Sequence, residues 1–406
     1  MKALSGRRWL QFSLRFVLLA TTLICFWLGW IAKRANDQRI AVEAIRKAGG
    51  RIEFAHQLDE TGSTVSPPPT VPGPAWLRNW IGDEYFQRVV AVKFDEGSDP
   101  RAAFMELRRL PDLKVLHVNV SFENPADSYF LGWSDRDQEI KFSVPPIVDD
   151  DLAALANMRR LNRLSLQGRL TDDGLQHLSR ITSLEYLTIL LTPITDRGLV
   201  HLSNLKNLKQ LDLRQTRVGD NGLVHLQPLT SLEILSLERT HVTDAGLEHL
   251  GKMTNLRTLG LGENNITDTG VAHLAPLARL ECLTLNATYV TDRGLVHLRG
   301  MPEMINLWLS GTRVGDAGLQ HLRQMPKLQQ LDLGGTQITD AGLIMLSEFD
   351  NFGNMEHLAI DPIPPDPVAL EWAKKYARFG NISQPQITEQ GAANLQRIFP
   401  KFRVGP

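Results

Sequence analysis

Leu184, Leu208, Leu232, Leu256, Leu280, Met304 and Leu328 stand at an unbroken interval of 24 residues. Each opens a unit that reads L-x-x-L-x-L-x-x-T-x-[IV]-[TG]-D-x-G-[LV]-x-x-L, as in LKQLDLRQTRVGDNGLVHL from Leu208 to Leu226. A further unit begins at Leu161, and degenerate units begin at Leu113 and Met355. Such a period constrains the fold more than any other feature of the chain. A unit this short cannot bury its apolar face alone, so it must stack on its neighbours and share a continuous core with them.

Each part of the unit has a physical reading. The L-x-L core, as in Leu211-Asp212-Leu213, alternates with period two: the leucines face inward and the middle residue outward. A threonine column (Thr192, Thr216, Thr240, Thr288, Thr312, Thr336, with Asn264 once) follows the strand, where a short polar side chain can satisfy backbone groups at the bend. T-D or G-D then opens a short helix, which Thr or Asp can cap and whose dipole favours the carboxylate. A glycine column from Gly174 to Gly342 lets neighbouring units approach closely. Strands stack about 4.8 Å apart and helices about 10 Å apart. The array is therefore expected to curve into a horseshoe, with parallel strands on the concave side and helices on the convex side.

This unit resembles the leucine-rich repeat, and its T-x-[IV]-T-D-x-G-L-x-x-L form is similar to the ribonuclease-inhibitor and F-box-like variant. The likeness spans roughly Leu110 to Ile360, and the whole chain resembles bacterial membrane-anchored leucine-rich-repeat proteins. It implies an α/β solenoid that binds a protein or peptide through its concave face. The ubiquitin-ligase association of the F-box branch is not implied, because no F-box-like helical module is evident in residues 1–110.

Ahead of the array, Phe16 to Ala32 (FVLLATTLICFWLGWIA) carries no charge. As a helix it spans about 25 Å, near the lower limit for crossing a bilayer. The bulky, then basic, WLGWIAKRA at the end of this run lacks a signal-peptidase pattern, which favours an uncleaved anchor over a removed signal. The expected organisation is a basic tail (1–15), a transmembrane anchor (16–32), a juxtamembrane helix (33–57) and a proline-rich spacer (58–75). A solenoid with an N-terminal cap and an insertion at 119–146 follows (76–360), then a C-terminal cap (361–406). Ala35–Ala48 has helix-forming composition, and Gly49-Gly50 ends it. Positive charge is nearly balanced across the anchor; the basic tail (Lys2, Arg7, Arg8, Arg15) places the repeats outside the cytoplasm.

The chemistry-bearing columns point away from catalysis. One histidine per helix (His177, His201, His225, His249, His273, His297, His321) recurs at a spacing too wide for a shared metal ion, so no metal is expected. One aspartate per helix start cannot supply the six to eight converging oxygens of a calcium site. No nucleophile elbow, zinc-protease motif or phosphate loop occurs, so neither an enzyme nor a cofactor is expected. Cys25 and Cys282 cannot build a disulfide framework, and a net charge of −1 argues against nucleic acid. Candidate partner-binding residues are the outward strand positions that vary from unit to unit: Tyr186, Arg214, Glu238, Arg239, Glu263 and Trp308. The alternatives are a self-associating structural protein of the envelope and a cytoplasmic adaptor of the F-box-like type.

Overall fold

Repeated burial of the L-x-L leucines builds the array. The computed structural model describes residues 5–57, 70–72, 75–81, 83, 87–95, 97–118, 146–349 and 357–359. Most of the expected spacer, all but the last residue of the insertion and the whole C-terminal cap lie outside these residues. The chain divides into two units, the first made of residues 1–130, 142–145 and 157–161, the second of the rest.

The first unit opens with one continuous helix, α1 (Ser5–Lys47). Its C-terminal part turns Ala35, Ala41 and Ile45 into the core. Gly49, at φ 82°, ends the helix with a left-handed residue, and the Gly50 N–H donates to the Ile45 carbonyl at 2.8 Å. A Cβ at Gly50 would come within 2.7 Å of Ile45 and Phe94, so glycine also permits this close approach. Residues 33–57, expected as a juxtamembrane helix, are therefore not helical throughout: β1 (Arg51–Phe54) follows and runs antiparallel to β2 (Val89–Phe94). Between them lies α2 (Ala75–Ile81); after β2 come α3 (Arg101–Phe104) and β3 (Val115–Val118), which pairs parallel with β2. Ion pairs Arg34–Asp112 and Asp37–Arg109 tie α1 to the segment leading into β3.

The second unit is a parallel ladder. Its strands are β4 (Ile147–Val148), β5 (Arg163–Arg169), β6 (Tyr186–Leu190), β7 (Gln210–Asp212) and β8 (Ile234–Ser236). They continue with β9 (Thr258–Gly260), β10 (Cys282–Thr284), β11 (Asn306–Trp308), β12 (Gln330–Asp332) and β13 (His357–Ala359). One leucine row runs through the register: Leu187, Leu211, Leu235, Leu259, Leu283, Leu307, Leu331 and Leu358. All of these are buried, and each such side chain contributes about 1.5–3 kcal/mol. The helices between strands are α4 (Asp172–Leu178), α5 (Asp196–Leu199), α6 (Asp220–Leu223) and α7 (Asp244–Leu250). Then come α8 (Asp268–His273), α9 (Asp292–Leu295), α10 (Asp316–Leu319) and α11 (Asp340–Ser347). Leucines in and just after these helices, such as Leu199 and Leu202, are buried in the core.

A column of aspartates joins one repeat to the next. Asp172 accepts the Thr195 backbone N–H at 2.7 Å and its hydroxyl at 2.6 Å, and the same pair of bonds links Asp220 to Thr243 and Asp268 to Thr291. The aspartates thus do more than start helices: each clips the cap residue of the following helix. The glycine column exists because of those carboxylates. A Cβ at Gly198 or Gly222 would lie 2.6 Å from Oδ1 of the preceding aspartate. In the threonine column, Thr216, Thr240 and Thr288 donate to the leucine carbonyl three residues back at 2.7 Å.

Candidate functional site

On the sheet face turned away from the helices, the repeat does not dictate identity. Across β6 to β12 its first outward position reads Tyr186, Gln210, Ile234, Thr258, Cys282, Asn306 and Gln330. Its second reads Thr188, Asp212, Ser236, Gly260, Thr284, Trp308 and Asp332. Tyr186 is half-buried, with the Arg163 guanidinium 4.2 Å from its ring centroid. Trp308 is half-buried on β11, in register with Thr284 and Asp332.

Just past the strands the chain adopts a conformation that periodicity alone does not reveal. Leu191, Gln215, Arg239, Glu263 and Ala287 all have φ between 51° and 57°, and Gly311 and Gly335 continue the column at 67° and 61°. A non-glycine residue here costs roughly 1–2 kcal/mol. The turn nonetheless recurs, because it feeds the ladder: the Gln215 N–H donates to the Glu238 carbonyl and the Arg239 N–H to the Gly262 carbonyl, each at 3.0 Å.

This turn alters the picture of a solvent-facing charged centre. Arg239 and Glu263 were expected on the outward strand face, yet both stand at the left-handed position. They form an ion pair at 2.6 Å, with side chains only 7% and 6% exposed. Arg214 is likewise committed, its guanidinium forking onto Asp212 at 2.7–3.1 Å. Glu238 is different. Its carboxylate lies over Gly260, where a Cβ would clash with it, and its Oε2 is shielded from solvent without a hydrogen-bond partner. Burial pushes the Glu238 carboxyl up to about 7; Arg214 opposes this, while Asp212 and Glu263 reinforce it. On β10 the Cys282 thiol is pushed up to about 12, chiefly by burial and then by the charge of Glu238.

The structure thus brings Arg214, Glu238, Arg239 and Glu263 together on successive repeats and leaves Tyr186 and Trp308 on outer strands. Sequence reading does not mark Gly260, the glycine inside Leu259-Gly260-Leu261 that leaves room for the Glu238 carboxylate.

The histidines serve the helical side. His321 is buried and accepts from Arg299 Nε at 2.9 Å; its pKa is lowered, first by burial and then by Arg299, with Asp292 opposing. His249 meets the Gln227 amide at 3.2 Å. Among the described residues, no group of three or more His, Cys, Asp or Glu side chains is placed to hold a metal ion.

A family model for the leucine-rich repeat matches residues 204–226, 252–275 and 324–347, three segments at the repeat's own register. The chain is a leucine-rich-repeat protein. Solved leucine-rich-repeat structures resemble it at low identity. An internalin C2 from Listeria monocytogenes is 25% identical over 53% of this chain and 84% of its own, with a TM-score of 0.40. An internalin F from the same organism is 19% identical over 79% and 94%, with a TM-score of 0.43. The plant peptide hormone receptor RGFR1, solved in complex with RGF2, is 14% identical over 63% and 42%, with a TM-score of 0.38. No curated protein sequence matches the chain.

Proposed function

We propose that this leucine-rich-repeat protein is a non-catalytic binding protein, held in a membrane by α1, that takes a protein or peptide on the outward face of its sheet. The observation that carries the reading is the contrast between columns. Leucine, threonine, aspartate and glycine recur at positions that hold the array together, whereas the outward strand positions change identity from repeat to repeat. A surface free of architectural duty and furnished with Tyr186 and Trp308 has the composition of a recognition face. The repeats are placed outside the cytoplasm, and the partner in the envelope.

Affinity capture with the full chain in detergent, from separate envelope and cytosol fractions, tests this. Tyr186→Ala with Trp308→Ala should weaken capture of an envelope partner by about tenfold or more, since aromatic anchors each supply 1–2 kcal/mol or more. His225→Ala with His249→Ala should leave it unchanged. Loss of capture in the histidine pair alone would move the binding face to the helical side. Recovery of a partner from cytosol only would reverse the topology. Concentration-dependent self-assembly without any captured partner would make the protein a structural element instead.

A further inference from the structure

Helix α1 serves as a ruler for the first unit. At about 1.5 Å per residue, Arg34 and Asp37 lie about 3 Å and about 8 Å along it beyond Ala32, where the uncharged apolar run ends. Arg34 pairs with Asp112, and Asp112 also takes Arg160 Nη1 at 3.0 Å. Asp37 takes Arg109 Nη1 at 2.7 Å, and Arg109 also pairs with Glu106. Residues 33–37, 106–114 and 157–161 therefore meet close to the level where the apolar run stops, all within the first unit. Together they hold seven cations against three carboxylates, and every one of those carboxylates is already paired. The surplus is exposed. Lys33, Arg108, Lys114 and Arg159 are open to solvent and form no ion pair with a described residue. The repeat does not demand this charge: the places of Arg159-Arg160 are taken later by pairs such as Thr182-Ser183, Thr230-Ser231 and Pro302-Glu303, and never again by two cations.

The headgroup layer on each side of a bilayer is about 5–8 Å deep, so Arg34 stands within it and Asp37 at its edge. Attraction of a cation to an anionic leaflet falls off within a Debye length, about 8–10 Å in ordinary salt. The surplus cations lie in that range, because each adjoins Ala32 or a residue paired with Arg34, Asp37 or Asp112. We propose that this face of the first unit rests on the bilayer surface and binds anionic phospholipid headgroups, chiefly through Arg108 and Arg159. The inference rests on α1 being the membrane span. Guanidinium forks match phosphate oxygens, and several lipids can share the surface, so no closed pocket is required. Position favours lipid over an acidic protein, since the surplus gathers at headgroup depth. Arg46 and Lys47 are equally exposed but lie more than about 20 Å beyond Ala32, outside the reach of the leaflet.

The test is lipid selectivity of the full chain reconstituted in phosphatidylcholine vesicles, read by electron spin resonance. The probes are spin-labelled phosphatidylglycerol and spin-labelled phosphatidylcholine. The parent should hold the anionic probe about fivefold or more over the zwitterionic one, with the preference fading in about 1 M salt. Arg108→Gln with Arg159→Gln should lower that preference at least about threefold and leave the melting temperature unchanged, because both side chains are exposed. Arg46→Gln with Lys47→Gln removes the same charge from the far end of α1 and should keep the preference. An unselective parent, full selectivity in the first pair, or an equal loss in the second pair would each overturn the proposal. Polyglutamate that binds the parent but not the first pair, with no lipid preference in either, would give the face to an acidic polypeptide instead. A chain that floats with vesicles yet selects no lipid would leave the anchor standing and remove only this inference, whereas a chain that does not float would remove both.

Discussion

Glycine 222 and glycine 219 sit three residues apart and have opposite tolerances, because Asp196 faces both. At Gly222 a Cβ would lie 2.6 Å from Asp196 Oδ1 and 3.0 Å from the Asp196 Cα, and backbone cannot swing aside. Gly222→Ala should destabilise the protein by about 1–3 kcal/mol through overpacking, read as a lower melting temperature. At Gly219 the φ is −124° and a Cβ would find 3.5 Å of clearance. Asp196 Oδ1 already accepts the Gly219 N–H at 2.6 Å, while its equivalents also accept a threonine hydroxyl on the second oxygen. Gly219→Thr should therefore supply a missing bond and stabilise by roughly 0.5–1.5 kcal/mol. A neutral alanine at 222 or a destabilising threonine at 219 would refute the clip as the organising contact. Glu238 makes a third prediction at this scale. Its carboxyl is raised from 4.5 to about 7, so the folded chain holds an extra proton between those values and stability falls as pH rises through that window. The loss is complete above about pH 7 and amounts to roughly 3 kcal/mol at most. Glu238→Gln should flatten the slope between pH 4.5 and 7 and melt above the parent at pH 8. Parallel pH profiles for the two proteins would contradict the burial of this group.

Elements of this chain are short because each is held by its neighbours and not by itself. Strands such as β7 span three residues and helices such as α6 four, far below what is stable alone in water. The repeat, the inward leucines, the threonine bend and the need for glycine were all legible in the sequence, because each expresses a period or a side-chain size. What escaped is what depends on the third dimension. The left-handed column from Leu191 to Gly335 carries Leu, Gln, Arg, Glu, Ala and Gly in turn, so no residue type announces it. The pairing of an aspartate with the threonine 23 residues later, as in Asp244 and Thr267, becomes visible only when one turn lies on the next. For the candidate site, the outward column was legible, but the exposure of its charges was not. Arg239 and Glu263 read as surface charges in sequence, and the turn that follows each strand closes them into a pair.

At the scale of the whole molecule, α1 carries an apolar surface that is exposed among the described residues. Along α1, Phe16, Leu18, Leu19, Leu23, Phe26, Trp27 and Trp30 are all exposed, and this helix is long and apolar enough to cross a membrane. In water so large an apolar patch would be an aggregation liability, and in a bilayer it is matched to its surroundings. At 43 residues α1 is about 64 Å long, roughly twice a hydrocarbon core of about 30 Å. The rest of it does structural work: Ala35, Ala41 and Ile45 are buried, and Arg34 and Asp37 pair with Asp112 and Arg109. The exposed apolar stretch and the packed part of the first unit therefore share one continuous helix. Substituting Leu19→Arg and Leu23→Arg in the full chain should release it from carbonate-washed membranes, since charges near a helix centre each cost about 2.5–3.5 kcal/mol on insertion. The same pair should leave the melting temperature of the repeats unchanged, because neither side chain packs against the folded units. Mass spectrometry of the membrane-bound parent should find α1 intact. A fragment cleaved within or just after Phe16–Ala32 would make the segment a removed signal, and retention of the double-arginine protein in the membrane would place the attachment elsewhere in the chain.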